Sequence, residues 1–170
     1  MNLSAYNRIA IIGTSGSGKS TLARQIAERT GHPLIHLDYE HWSPGWVAMP
    51  QEAFIAKQQE WTAGERWIIE GNYNATLALR YSAADLVILL DLSPWLCAWR
   101  VIKRHGKKRP DMRQDVIEES MFSLNYLKFL WFILGYKKKC LLEVLALQEE
   151  YQHVKLLRLR SRWEVREILL

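Results

Sequence analysis

Residues 13–21 read GTSGSGKST and follow the apolar run Ile9-Ala10-Ile11-Ile12. From Gly13 to Ser20 the segment fits G-x-x-x-x-G-K-[ST] at every defined position, with a strand-like run before it and a helix-like run after it. Glycines let successive backbone N–H groups turn inward onto a phosphate, and the start of the next helix adds free donors and partial positive charge. On this reading Gly13, Ser15, Gly16, Ser17 and Gly18 form a phosphate cradle. Lys19 reaches the β- and γ-phosphates of a nucleoside triphosphate, Ser20 offers its hydroxyl to Mg²⁺, and Thr21 faces the α-phosphate. The expected ligands are ATP and Mg²⁺.

Holding a triphosphate is not yet chemistry. Transfer of its γ-phosphoryl group also needs an acceptor, an acid that orients the metal, and cations facing the developing charge. In an open parallel sheet such groups gather at the carboxyl ends of the strands, and three strand-like runs end in acids. Ile35-His36-Leu37-Asp38 supplies Asp38, which could orient or deprotonate a substrate hydroxyl, or could be a helix cap or loop carboxylate. Trp67-Ile68-Ile69-Glu70-Gly71 supplies Glu70, read as the acid that holds Mg²⁺ through water, with a structural pairing as the other choice. Leu90-Asp91 supplies Asp91, read as structural.

Five strand-like runs can position these residues: Arg8 to Ile12, Leu34 to Asp38, Trp67 to Glu70, Leu86 to Leu92 and Val154 to Leu159. They are short and nearly all apolar, as strands covered on both faces are, and helical segments separate them. The pattern predicts an α/β chain of three layers, a five-stranded parallel sheet between helices, forming a single domain over 1–170. The first helix should run from Lys19 or Ser20 to Thr30, where Gly31 and Pro33 stop it. Pro50 opens a second helix and Ser93-Pro94 a fourth, which ends near His105. A long helical stretch from Gln114 to Glu150 should break near Gly135, and Ser161-Arg162-Trp163-Glu164 reads as a capping box.

Composition fits one globular core: 170 residues, 49% hydrophobic and 24% charged. A chain of this length needs neither disulfide nor metal for stability. Cys97 and Cys140 lie far apart with no CxxC spacing, which points to idle thiols in a reducing cytoplasm. The N-terminus shows no export signal. The most membrane-like stretch, Phe129 to Tyr136, is less than half the roughly 20 apolar residues of a spanning helix and reads as buried. The net charge of +5 is carried by two clusters. One holds Arg100, Lys103, Arg104, Lys107, Lys108, Arg109 and Arg113, and the other Lys155, Arg158, Arg160, Arg162 and Arg166. Both suit phosphates of any kind, whether of a nucleotide, a metabolite or a nucleic acid.

Several segments together resemble a family: Gly13 to Ala23, His36-Leu37-Asp38, Pro44-Gly45-Trp46, Trp67 to Tyr73, Arg100 to Arg104 and Lys107 to Met112. They resemble the small P-loop proteins known as DNA topology modulation proteins, which are related to adenylate kinase within the group that includes shikimate and gluconate kinases. The resemblance covers most of the first two-thirds of the chain. It implies a lid over 104–113 that brings Arg100, Arg104 and Arg109 onto the phosphates, and a substrate-covering segment over 41–65. One departure stands out. Adenylate-kinase-like proteins follow the third strand with Asp-Gly-Phe-Pro-Arg, whose arginine grips the acceptor's phosphate, whereas here Gly71 is followed by Asn72-Tyr73-Asn74. Arg80 is the nearest replacement. The expected activity is a kinase acting on a small-molecule acceptor, with nucleic acid a less favoured partner. The competing readings are a nucleotide-regulated DNA- or RNA-binding protein and a simple nucleoside triphosphatase; no helix-turn-helix, zinc-finger or RNA-binding signature supports the former.

Overall fold

The computed structural model describes residues 1–45, 47–106, 121 and 123–170. Five strands form one parallel sheet: β1 (Arg8–Gly13), β2 (Leu34–His36), β5 (Trp67–Glu70), β6 (Leu86–Leu90) and β7 (Lys155–Leu159), in the order β2-β5-β1-β6-β7. A two-residue antiparallel pair, β3 (Trp42–Ser43) and β4 (Val47–Ala48), stands apart from it. The helices are α1 (Lys19–Thr30), α2 (Leu37–His41), α3 (Gln51–Ala63), α4 (Leu77–Ala83), α5 (Pro94–Arg104), α6 (Leu124–Glu150) and α7 (Arg162–Glu167).

Strand periodicity explains the layers. Ile9 and Ile11 of β1 point to one face and pack with Leu22, Ala23 and Ile26 of α1 and Ile168 near the C-terminus. Ala10 and Ile12 point to the other face, toward Phe54 of α3, Leu77 and Tyr81 of α4, and Tyr136, Cys140 and Val144 of α6. Ile9 through Ile12 have no exposed surface, so β1 is the centre of the core. Both cysteines are buried and neither forms a disulfide. No helix among the described residues is long and apolar enough to cross a membrane.

Three local expectations are corrected. The second strand stops at His36, and Leu37–His41 turns into a short helix, because fully buried Leu37 anchors that turn under the sheet edge. Asp38 therefore sits in the first turn of α2 rather than at a strand end. Within the described residues the long helix starts at Leu124, where Ser123 caps it by accepting from the Tyr126 N–H, and the expected stretch from 114 to 120 lies outside them. The helix runs through Gly135 without a break. A glycine inside a helix costs only about 1 kcal/mol relative to alanine, and buried Ile133, Tyr136, Cys140 and Val144 hold the helix on both sides of it. At Ser161 the serine hydroxyl accepts from the Glu164 N–H, but the Glu164 carboxylate takes the Arg160 N–H instead of closing a reciprocal box.

Arg80 is 1% exposed and forms no ion pair with a carboxylate among the described residues. One guanidinium nitrogen donates to Gln58 Oε1 and to Thr76 Oγ1 at 3.0 Å. The other donates to the Asn72 carbonyl at 2.6 Å. Burial lowers its pKa to about 10. The residue ties α3, α4 and the loop after β5 into one unit. Replacement by methionine would keep the stem but leave Gln58 and the Asn72 carbonyl without their donor. Urea denaturation of Arg80→Met should show a loss of about 1–3 kcal/mol, and an unchanged midpoint would mean that the buried bonds contribute nothing net.

Candidate active site

The glycine loop joins β1 to α1 at the carboxyl edge of the sheet. The Ser17 N–H donates to the Thr14 carbonyl, closing a tight turn, and Gly18 is left-handed with φ +99° immediately before the helix. Gly16, at φ +83°, lies against α5 so closely that a Cβ would stand 2.3 Å from the Cys97 carbonyl oxygen. From the same helix one Arg100 nitrogen donates to the carbonyls of Gly16 and Ser17, each at 3.2 Å. Arg100 thus holds the back of the loop. On the other side Asn72 Oδ1 accepts from the Gly13 N–H at 3.3 Å. Lys19 folds back over the loop and donates to the Thr14 carbonyl at 3.4 Å.

Two hydroxyls inside this curl, Thr14 Oγ1 and Ser17 Oγ, are buried and have no hydrogen-bond partner among the described residues. Such groups are rare unless a ligand or water completes them. Behind the loop a cavity of about 10 Å³ is bounded by Gly13, Thr14, Asp91, Tyr136 and Cys140, so α6 also backs the loop.

Next to β1, the ends of β5 and β2 supply the acids. Glu70 is 2% exposed and its Oε1 meets His36 Nδ1 at 2.7 Å across the β2–β5 ladder. Asp38 stands beside the hydroxyl of Tyr73. Burial, reinforced by the charge of Asp38, pushes the Tyr73 pKa well up, so the phenol keeps its proton. Tyr73 is the one non-glycine residue with positive φ, +36°, among the described residues. That conformation is uncommon for a bulky side chain, and such strain concentrates at functional sites. Its ring rests on His41 (4.8 Å) and Phe54 (4.9 Å), while His41 contacts Phe54 (4.6 Å) and Trp42 (4.9 Å). Burial lowers the His41 pKa against the pull of Asp38, keeping its ring uncharged at neutral pH.

The other expected residues divide. Ser15, Ser20 and Thr21 lie on the loop and first turn of α1, the last two at its accessible side. Asp91 is 5% exposed and takes two bonds from Arg158, at 2.8 and 2.6 Å, an internal pair between β6 and β7. Lys155 of the same basic cluster donates to the Tyr6 hydroxyl at 2.9 Å. Arg104 ends α5, while Arg109, Trp46 and the expected lid between 107 and 113 lie outside the described residues. Sequence reasoning assigned no role to His36, His41, Phe54 or Tyr73. The HLD and EGNY segments contained the signal for His36 and Tyr73, but only the pairing of β2 with β5 shows which acid each one meets.

No protein-family model matches the chain. In sequence it is 28% identical to a cytidylate kinase from Pyrobaculum arsenaticum over 138 residues, 72% of each chain. Shikimate kinase from Acinetobacter baumannii in complex with shikimate superposes with a TM-score of 0.58 at 16% identity, over 98% of this chain and 90% of that one. The fold is that of the P-loop kinases. A gluconokinase from Sinorhizobium meliloti matches with a TM-score of 0.51 at 18% identity, over 96% of this chain and 87% of that one.

Two loop glycines separate contact from strain in this P-loop. Gly16→Ala must move the loop off the Cys97 backbone as well as hold a left-handed alanine. Gly18 has nothing within 4 Å of its added Cβ, so Gly18→Ala meets only the left-handed penalty, about 1–2 kcal/mol. Thermal denaturation should show Gly16→Ala as clearly the less stable of the two, and equal losses would contradict the close packing of the loop on α5.

Proposed function

We propose that the chain is a kinase that moves the γ-phosphoryl group of ATP, with Mg²⁺, to a hydroxyl of a small acceptor. The observation that carries this reading is the placement of two carboxylates, Glu70 at the end of β5 and Asp38 in the first turn of α2, beside a glycine loop with unsatisfied buried hydroxyls. A simple triphosphatase has no need for Asp38 and its aromatic surroundings. A nucleic-acid surface is disfavoured because Lys155 and Arg158 of the second basic cluster are held by Tyr6 and Asp91.

The residues present fit the ligands. Thr14 and Ser17 offer hydroxyl donors, Lys19 a charge, and the α1 terminus free N–H groups, all suited to phosphate oxygens. Ser20 and Glu70 are oxygen donors of the hard kind that Mg²⁺ takes, and Glu70 keeps Oε2 outside its bond to His36. When bound, the ion supplies positive charge to the phosphates. Asp38 accepts the proton of the acceptor hydroxyl as its oxygen attacks the γ-phosphorus. The bond from that phosphorus to the bridging oxygen breaks, and ADP leaves with the electron pair. The Tyr73 hydroxyl beside Asp38 helps to aim the carboxylate. Arg104 and Arg109 are assigned to the charge that develops during transfer.

Lys19→Ala should abolish Mg-ATP binding by calorimetry while the far-UV circular dichroism and melting curve stay near those of the parent. Asp38→Asn should bind Mg-ATP normally and lose acceptor-dependent ADP release by roughly 10²- to 10⁴-fold. Glu70→Gln should likewise lower turnover much more than affinity. Full activity in either acid variant would return that carboxylate to a structural role.

A further inference from the structure

The segment 37–83 contains Asp38 together with α2, the β3–β4 pair, α3, the loop after β5 and α4. Its sequence holds six carboxylates (Asp38, Glu40, Glu52, Glu60, Glu65, Glu70) against three permanent cations, although the chain as a whole is +5. Each of the three cations is already engaged. Lys57 meets Glu40 at 3.4 Å and stands over the Trp61 ring. Arg66 precedes β5, at the opposite end of the strand from the site, and donates to the Thr30 carbonyl at 3.0 Å. Arg80 is enclosed and spends its donors on Gln58, Thr76 and Asn72. His41 adds no charge, because burial keeps it neutral.

What does border Asp38 is aromatic. Phe54 is buried and forms the floor on which the His41 and Tyr73 rings rest, and half-buried Trp42 meets the edge of His41. Ring faces of this kind take up nucleobases and the C–H faces of sugars. Two carboxylates, Asp38 and Glu70, in one site also disfavour an anion arriving next to them, since like charges at close range repel.

Resting on the kinase reading for the role of Asp38, we infer that the acceptor is an uncharged hydroxyl compound with a flat face, of the nucleoside or neutral-sugar kind, and not a nucleoside monophosphate or a sugar acid. The hydroxyl faces Asp38 and the flat face lies against the ring cluster. Specificity arises from the absence of a spare cation in the segment that covers the acceptor.

The test uses the full-length chain and matched pairs: cytidine with CMP, adenosine with AMP, and glucose with gluconate. Binding is read by saturation-transfer NMR without ATP, and acceptor-dependent ADP release is read separately with Mg-ATP. At least one neutral compound should bind roughly tenfold or more tightly than its charged counterpart, and Trp42→Ala should weaken that binding while leaving Mg-ATP affinity unchanged. The nucleoside and sugar arms then tell the two sources apart. Equal or tighter binding of the charged member, or failure of every neutral compound to bind, overturns the inference. A neutral compound that binds but releases no ADP leaves it standing and counts against the kinase reading. Phosphorylation of CMP or gluconate in preference to the neutral partner does the reverse.

Discussion

Gly16 lies against the backbone of α5, and the shape of the phosphate loop depends on that approach. Any side chain at this position would occupy the space of the Cys97 carbonyl. The contact lets Arg100, one turn further along α5, reach the carbonyls of Gly16 and Ser17 and hold the outside of the loop. α5 is in turn fixed by α6, through Cys97, Ala98 and Val101 packed on Ile133. The long helix also backs the loop directly with Tyr136 and Cys140. A loop of glycines and serines has little packing of its own, so its order comes from these neighbours.

The parallel sheet brings the chemistry to that loop. Because β2, β5 and β1 are adjacent and run the same way, their carboxyl ends emerge side by side. His36 and Glu70 are register partners, so the first acid is braced by the next strand. Asp38 and Tyr73, each beyond its strand, make a second contact in the same direction. Tyr73, at positive φ, stands beside Asp38 within three residues of the strand end. Asn74 extends the bracing to α6, where the Tyr136 hydroxyl donates to its Oδ1 at 2.7 Å.

Arg80 shows how burial reassigns a residue. In sequence it is the nearest cation after the third strand's acidic-Gly step, where an acceptor phosphate would need one. In the fold its guanidinium is consumed by Gln58, Thr76 and the Asn72 carbonyl, which rigidifies the very loop that carries Tyr73. A charge removed from water in this way stabilises its surroundings only while its donors stay satisfied, so it is not free to grip a substrate.

The phosphate loop, the parallel α/β architecture and the boundaries of α1 were legible in the chain itself. Their signals are local: a fixed spacing of glycines and lysine, short apolar runs covered on both faces, and a stop at Gly31-His32-Pro33. Glu70 and Asp38 could be found as acids at strand ends, but not their partners, because His36–Glu70 and Asp38–Tyr73 join residues more than thirty positions apart. The continuity of α6 through Gly135 was hidden for a similar reason, since intrinsic propensity weighs less than the buried face that holds the helix. Whether an arginine serves a ligand or the fold is not written in its neighbours along the chain. At Arg80 only tertiary packing decided it, because burial requires every donor to find an acceptor nearby, and here the protein supplies them.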